Sequence, residues 1–263
     1  MPFAAAPVTR MAVQPRRPDF IGIGAHKSAS TWLWHWLEQH PQIAPGDKER
    51  HFWDRVYPDE PAKAYCLRFA GVPAGQLAGE ITPAYAILPP ETIAAVYALL
   101  PEAKILFQMR NPIERSWSNA RFHGKLVGED FAGYDEAKMI ETLQADRCLW
   151  RSDYEACLRN WLTRYARDQL FVARYDRIAE DPVALMRDYA LFLGIDPDFY
   201  ARPALRGQLE TKINESPPAA MPDAVRAYLL EFYRPRIERL GAFLGLDLSP
   251  WWQAYEAPAV LNG

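Results

Sequence analysis

A loop of small and hydroxyl-bearing side chains around one lysine lies near the start of the chain. Residues 19–24 are an apolar run that predicts a strand, and the apolar spacing of residues 31–40 predicts a helix. Residues 24–31 between them read GAHKSAST. Unpaired N–H groups at a helix N-terminus bind anions, and Lys27 adds a positive charge. The loop therefore predicts an anion site; the alternative is a turn whose hydroxyls only cap the helix.

A second candidate for anion binding follows another predicted strand, residues 103–109. Arg110 stands at the carboxyl end of that strand, and Ser118 lies eight residues later on the next predicted helix. Arginine offers a planar fork of donors to a phosphate, and a serine hydroxyl offers one more. Ligands of open α/β folds collect at this edge of the sheet. The alternative is a surface arginine that pairs with Glu114.

The two segments resemble the nucleotide signatures of sulfotransferases that use 3′-phosphoadenosine 5′-phosphosulfate (PAPS). Residues 24–31 lack the GxxxxGK[ST] spacing of a Walker A motif, but they are similar to that family's 5′-phosphosulfate loop, GxxKxGT[ST]. The departure is Ala29, where the family usually has glycine; alanine fits if its φ stays negative. Residues 110–118, RNPIERSWS, resemble the 3′-phosphate signature R-[ND]-P-x-[ED]-R-x-x-S. The likeness extends to residues 78–85 and 153–182.

This resemblance implies PAPS as the donor, held at two phosphate anchors, with 3′-phosphoadenosine 5′-phosphate (PAP) as the product. Within the first loop, His26 is expected to point outward, and Lys27 to stabilise charge on the departing oxygen in place of a metal. The histidines form no HExxH or similar cluster, so no metal site is predicted. The residues assigned to the donor are His26, Lys27, Ser28, Ala29, Ser30, Thr31, Arg110, Ser118 and Lys212, the last by a short match to a loop over the nucleotide.

Residues 48–53, KERHFW, resemble the KExxFF segment of glycan sulfotransferases, whose glutamate is the general base. The resemblance implies that Glu49 takes the proton of the acceptor hydroxyl and that Lys48 adds positive charge beside the transferred group. His51 is the competing base, because phenol and steroid sulfotransferases use histidine; it could also hold the glutamate or touch the acceptor. Without the two phosphate sites, a solvated run of charges would be the favoured interpretation.

Other polar and aromatic residues have less specific roles. Glu80 ends a predicted strand, residues 76–81, where it either positions the acceptor or a lysine, or caps a helix or forms a salt bridge. Three tryptophans of the first predicted helix cannot share one face and are interpreted mainly as core and cleft wall: Trp32, Trp34 and Trp36.

Composition limits the possible partners and the cellular setting. The chain has 263 residues, a formal net charge of −3 and 49% hydrophobic residues, so nothing global suggests nucleic acid or an anionic membrane as a partner. Three cysteines without a CxxC pair favour a reduced compartment over a disulfide framework. Residues 1–18 read as a disordered lead without a signal peptide or membrane span. A cytoplasmic protein is predicted; its oligomeric state is left open.

Strands that alternate with helices predict a single α/β domain, residues 19–263. We expect a central parallel sheet of about five strands flanked by helices, resembling P-loop nucleotide kinases. Strands are predicted at 19–24, 42–44, 76–81, 103–109 and 170–174; helices are predicted at 31–40, 62–69, 91–100, 111–123, 153–167, 182–193 and 224–240. Residues 124–150 have weak periodicity and no evident role, and residues 206–222 read as irregular.

The predicted function is transfer of a sulfuryl group from PAPS to an acceptor hydroxyl, without a metal and with Glu49 as base. The KExxFF likeness favours a sugar or saccharide-bearing acceptor, with a small alcohol or a polyketide as alternatives. Animal glycan enzymes of this family usually carry a Golgi anchor, so a bacterial enzyme acting on an intracellular precursor is expected. One competing hypothesis is a P-loop-like kinase that uses ATP and magnesium, with Asp176 as the best available metal ligand. Another is a PAPS-binding module without catalysis, which the presence of Lys27 and Glu49 weakens.

Overall fold

The structure, a computed structural model, describes residues 14–128, 131–144, 150–211, 213 and 219–256. Most of the predicted lead, residues 1–18, lies outside these ranges. Its last residues, 14–18, form no regular secondary structure. There the Arg16 guanidinium donates to the carbonyl oxygens of Pro73 at 3.3 Å and Gln76 at 2.6 Å.

Four parallel strands form the central sheet, in the order β2-β1-β3-β4. Their bounds are β1 Phe20–Gly24, β2 Gly79–Ile81, β3 Lys104–Met109 and β4 Leu170–Arg174. The predicted strand at 42–44 is reduced to a single bridge between Ile43 and Leu77. Pro41 and Pro45 flank this bridge, and proline has no N–H to continue a ladder. The predicted fold class is otherwise the one observed.

Helices lie on both faces of this sheet, because successive residues of its strands point to opposite sides. Ile21 and Ile105 enter one hydrophobic core, and Phe20 and Leu106 enter the other. The second core contains Trp32, Trp34 and Trp36, so their predicted role in the core is confirmed. In the described residues the helices are α1 Ser30–Glu38, α2 Ala64–Leu67, α3 Pro90–Leu99, α4 Pro112–Val127, α5 Glu136–Gln144, α6 Tyr154–Trp161, α7 Arg177–Glu180, α8 Pro182–Leu193, α9 Pro203–Leu209, α10 Asp223–Leu244 and α11 Pro250–Glu256.

Four of these helices were absent from the sequence prediction, one of them the four-residue helix α7. Helix α5 lies in the stretch 124–150 that had no evident role, and it buries Met139 and Leu143. Helix α9 overlaps the stretch read as irregular. Helix α11 buries Trp251, whose carbonyl oxygen accepts a hydrogen bond from the Asn111 side chain at 2.7 Å. The last helix therefore packs against the turn that carries Arg110.

Candidate functional site

The first predicted anion loop leaves the carboxyl end of β1 and enters α1. Ala25 donates its N–H to the carbonyl oxygen of Gln108 on β3 at 2.8 Å. Ala29 is the N-cap residue of α1 and supplies no side-chain hydrogen bond to it. Ser30 and Thr31 form the first turn of the helix. Ala29 therefore leaves the backbone N–H groups at the start of α1 uncapped. An anion site at a helix N-terminus requires such uncapped N–H groups.

The backbone of this loop corrects the expectation for Ala29. Its φ is +59°, in the left-handed region, and Lys27 has a φ of +66°. A non-glycine residue there costs about 1–2 kcal/mol, because its Cβ crowds the following carbonyl oxygen. A negative φ at Ala29 is therefore not what makes alanine acceptable here. At residue 29 the loop therefore has a backbone conformation typical of glycine, although the residue is alanine.

Ser28 supports the loop from beneath. Its side chain is fully buried, next to the Tyr154 hydroxyl. The Ser28 carbonyl oxygen accepts a hydrogen bond from the Gln108 side chain at 2.5 Å, and Tyr189 donates to that same side chain at 3.0 Å. Ser28 therefore fixes the loop on β3, and because its hydroxyl is buried, only its backbone N–H is left as a donor for an anion.

His26 points inward, contrary to the outward orientation that was expected. Its Nδ1 lies 2.9 Å from Oδ1 of Asn119 on α4, and its ring contacts Phe122 edge-on. Burial and, next, the positive charges of Arg151 and Arg115 lower the pKa of His26 to about 4, although the hydrogen bond to Asn119 opposes this shift. The imidazole is therefore neutral at neutral pH.

Lys27 and the second anchor lie in one positively charged region. The Lys27 ammonium lies 4.2 Å from the centre of the Phe122 ring. Burial lowers the pKa of Lys27, and the charges of Arg110 and Arg121 lower it further. Cations that repel one another in this way are stabilised together by a bound anion. The region thus joins the two anion sites predicted from separate motifs.

Arg110 forms the pairing that was considered as the alternative to phosphate binding. Its Nε and Nη2 donate to one carboxylate oxygen of Glu114 at 3.0 and 2.8 Å. The guanidinium also lies over the Tyr175 ring, and its side chain is 22% exposed. Ser118 is nearly buried on the same helix, α4. The two guanidinium N–H donors of Arg110 that face Glu114 are therefore engaged. A phosphate bound at Arg110 has to share these donors with the Glu114 carboxylate or displace it.

The predicted base lies in a chain of charged side chains. Glu49 forms an ion pair with Lys48, and its Oε2 lies 3.7 Å from Nε2 of His51. The other ring nitrogen of His51 lies 2.9 Å from Oδ2 of Asp54. Burial raises the pKa of Glu49, but the hydrogen bond and charge of Lys48, with His51, outweigh it and lower the pKa overall. Asp54 was not predicted as a site residue. The sequence feature that could have indicated its contact with His51 is its position three residues later in the chain.

Glu80 holds the backbone of this loop rather than a lysine. Its carboxylate accepts hydrogen bonds from the Arg50 N–H at 3.1 Å and from the hydroxyls of Thr82, Tyr65 and Tyr85. The Tyr85 hydroxyl in turn accepts the Phe52 N–H at 2.9 Å. Burial raises the pKa of Glu80, and the hydrogen bonds that it accepts oppose that rise. Glu80 is therefore an internal anchor for the Glu49 loop.

Strained backbone concentrates in these two loops. In the described parts of the chain, the non-glycine residues with left-handed φ are Lys27, Ala29, Glu49 and His51. All of them lie in the two predicted site loops. Such conformations persist only where the surrounding contacts impose them, and they cluster at functional sites.

Sheet order brings the predicted site residues to one edge. Strands β2, β1 and β3 are neighbours; the Lys27 loop follows the carboxyl end of β1, Arg110 follows that of β3, and the Glu49 loop contacts that of β2. The Glu49 N–H binds the carbonyl oxygen of Ile81 at the end of β2 at 3.1 Å. Glu49 also lies close enough to His26 for protonation of that imidazole to lower the pKa of Glu49. The predicted base, the Lys27 cation and the two predicted anion anchors therefore share one edge of the sheet.

Some predicted features lie elsewhere or outside the described residues. Lys212 falls outside them. Asp176, the metal ligand of the kinase hypothesis, accepts the Trp251 indole N–H at 2.5 Å and so anchors α11. Within the described ranges, no group of three or more His, Cys, Asp or Glu residues is arranged to hold a metal ion. None of the described helices combines the length and apolar character that a membrane crossing needs. The cytoplasmic location stays a prediction.

Comparison with known protein families and sequences gives concordant results. A family model described as "Sulfotransferase family" matches residues 62–199, more than half of the chain. Membrane-associated sulfotransferase kil1 of Dictyostelium discoideum is 35% identical over 108 residues, which cover 40% of this chain and 23% of that protein. Heparan sulfate glucosamine 3-O-sulfotransferase 6 of Homo sapiens is 25% identical over 271 residues, covering 95% of this chain and 77% of that protein.

The fold has a close structural counterpart. A sulfotransferase from Alicyclobacillus acidocaldarius superposes with a TM-score of 0.67 and 28% sequence identity, covering 89% of this chain and 98% of that chain. The prediction of a single α/β domain with a parallel sheet is therefore confirmed.

Proposed function

This chain belongs to the sulfotransferase family, and we propose that it transfers a sulfuryl group from PAPS to a hydroxyl of a saccharide. The observation that carries this proposal is the meeting of Lys27, Arg110 and Glu49 at one sheet edge. The family match covers residues 62–199. We propose that the domain extends over residues 19–263, because β1 and the Lys27 loop precede the matched segment.

The donor is bound through its two phosphate groups. The N-terminus of α1, with the Ser30 and Thr31 hydroxyls and Lys27, takes the 5′-phosphosulfate; Arg110 and Ser118 take the 3′-phosphate. The mutual repulsion of Lys27 and Arg110 supports this assignment, since it is relieved by an anion between them. Lys27 stabilises the negative charge that grows on the departing oxygen, and so lowers the barrier to transfer.

Glu49 accepts the proton of the attacking hydroxyl. Its lowered pKa keeps it ionised at neutral pH, and the ion pair with Lys48 orients its carboxylate. Asp54 fixes the ring of His51, whose other nitrogen faces Glu49 at 3.7 Å. His51 thus lies between Asp54 and the Glu49 carboxylate and helps to hold that carboxylate in place. It remains the competing base. General base catalysis of this kind contributes about 10²–10⁴-fold to a rate.

A saccharide is the acceptor class that the relatives support. The aligned human protein is named as a heparan sulfate glucosamine 3-O-sulfotransferase, and its alignment covers most of this chain. The segment KERHFW also resembles the KExxFF segment of glycan enzymes. A small alcohol is the alternative if His51 proves to be the base.

Donor binding tests the proposal directly. Calorimetry with PAP, AMP and ATP–magnesium should give far tighter binding of PAP. Each charged hydrogen bond to the 3′-phosphate contributes about 1.5–3 kcal/mol, so AMP should bind at least about tenfold more weakly. Tighter binding of ATP–magnesium than of PAP would refute PAPS as the donor. An acceptor screen with labelled PAPS then identifies the saccharide.

A further inference from the structure

The carboxylate of Glu114 lies beside both groups that are proposed to bind the 3′-phosphate. Its Oε2 accepts hydrogen bonds from Nε and Nη2 of Arg110 at 3.0 and 2.8 Å. Glu114 and Ser118 are four residues apart on α4, so their side chains leave the same face of that helix. Arg110 precedes the first turn of α4, which contains Glu114. Along the helix, Glu114 therefore lies between Arg110 and Ser118.

Helix α11 supplies a second partner for this carboxylate. The Tyr255 hydroxyl donates to Oε1 of Glu114 at 3.5 Å. Burial raises the pKa of Tyr255, and the negative charge of Glu114 raises it further, so the hydroxyl keeps its proton. The same helix is fixed through Trp251, which contacts the side chains of Asn111 and Asp176. The Glu114 carboxylate therefore keeps a hydrogen-bond donor even when it leaves Arg110.

A phosphate and the Glu114 carboxylate compete for the same guanidinium. Both anions match the planar fork of arginine, and both are stabilised by its charge. The side chains of Arg110 and Glu114 are only 22% and 40% exposed, so water weakens the repulsion between two anions at this place incompletely. The Glu114 carboxylate therefore lowers the affinity for a nucleotide with a 3′-phosphate, but not for one without it.

We propose that Glu114 is a built-in competitor of the 3′-phosphate at Arg110, which weakens the binding of PAP and speeds its release after transfer. This inference rests on the proposed use of PAPS as the donor. When the nucleotide binds, its 3′-phosphate displaces the carboxylate from Arg110, and the carboxylate stays on the Tyr255 hydroxyl. When PAP leaves, the carboxylate returns. The guanidinium is thus paired with an anion in both states, as a partly buried charge requires.

Nucleotide binding to Glu114→Gln tests the competition, because this change removes the charge and keeps the size of the side chain. Calorimetry should give about tenfold tighter binding of PAP to the variant than to the unmodified protein, with the affinity for AMP unchanged. Stopped-flow measurements should show the gain as slower dissociation of PAP at a nearly unchanged association rate. The control is Glu238→Gln on α10, because Glu238 pairs at 3.1 Å with Arg234, also four residues earlier; it should bind PAP as the unmodified protein does.

Several outcomes would overturn the proposal. Unchanged or weaker PAP binding to Glu114→Gln would show that the carboxylate supports the guanidinium instead of competing for it. A gain of equal size for AMP would show that the 3′-phosphate is not the group affected. An undiminished gain in an Arg110→Ala background would show that the effect does not act through Arg110. Absence of PAP binding to the unmodified protein counts against the proposed function. Inorganic phosphate then decides the competition: tighter binding to Glu114→Gln supports it, and equal binding overturns it.

Discussion

Protonation of the unfolded chain at His26 should make the protein lose stability in mild acid. His26 is buried against Asn119 among positive charges, and its pKa falls from 6.5 to about 4. The unfolded chain binds a proton below pH 6.5 that the folded protein excludes until about pH 4. The stabilisation from neutral His26 is therefore complete above pH 6.5 and is lost as the pH falls toward 4. At about pH 5 the loss is about 2 kcal/mol, from about 1.4 kcal/mol per pH unit.

Urea unfolding of the unmodified protein and of His26→Gln, at about pH 7.5 and about pH 5, measures this effect. The unmodified protein should lose about 2 kcal/mol more of its free energy of unfolding than the variant does between the two conditions. The control is His35→Gln, because His35 lies on the neighbouring helix α1 with its side chain 43% exposed. Equal pH dependence in the unmodified protein and His26→Gln would show that His26 is not held neutral by the fold.

Three other predictions concern the site. Glu49→Gln should lower turnover about 10²–10⁴-fold with PAP affinity unchanged, and His51→Asn should give a smaller defect, mostly in acceptor affinity; the reverse ranking under saturating PAPS would make His51 the base. Lys27→Ala should mainly lower turnover, while Arg110→Ala should mainly weaken nucleotide binding, because only the charge beside Lys27 changes during transfer. An unchanged turnover in Lys27→Ala, with an altered Michaelis constant alone, contradicts that division. Ala29→Gly should raise the melting temperature by up to a few degrees, because relief of about 1–2 kcal/mol at φ +59° exceeds the entropy cost of glycine, about 0.4–1 kcal/mol; a lower melting temperature would show that the loop imposes no strain on Ala29.

Short-range patterns were sufficient to predict most of the sheet and the location of the site. The predicted run 103–109 became β3, and Lys27 and Arg110 follow predicted strands whose carboxyl ends meet at one edge. These features depend on the alternation of apolar runs with turns, which neighbouring residues determine. The fold class could therefore be predicted from local sequence patterns.

Features that depend on distant partners could not be predicted in this way. His26 turns inward to contact Asn119, which lies 93 residues later in the chain, and Ala29 adopts its left-handed φ next to Ser28, whose carbonyl oxygen accepts a hydrogen bond from Gln108 of β3. Helix α5 escaped notice because only Met139 and Leu143 of its nine residues are buried, too few to set a helical period. The pairing of Arg110 with Glu114 was considered and is present, since residues four apart on a helix are neighbours.

The order of the strands gives the molecule a modular character. In the proposed function the elements after β1 and β3 serve the donor, whereas the acceptor side is built by residues 45–78, which hold one four-residue helix, α2, and one π-helical turn, Phe52–Val56. Loop-rich connections accept insertions and substitutions more readily than strands do, because little ladder pairing depends on them. Descendants of such a chain can therefore change the molecule that they modify by exchanging this one connection, while the donor half is inherited intact. A designer in search of new acceptors would begin with the same segment.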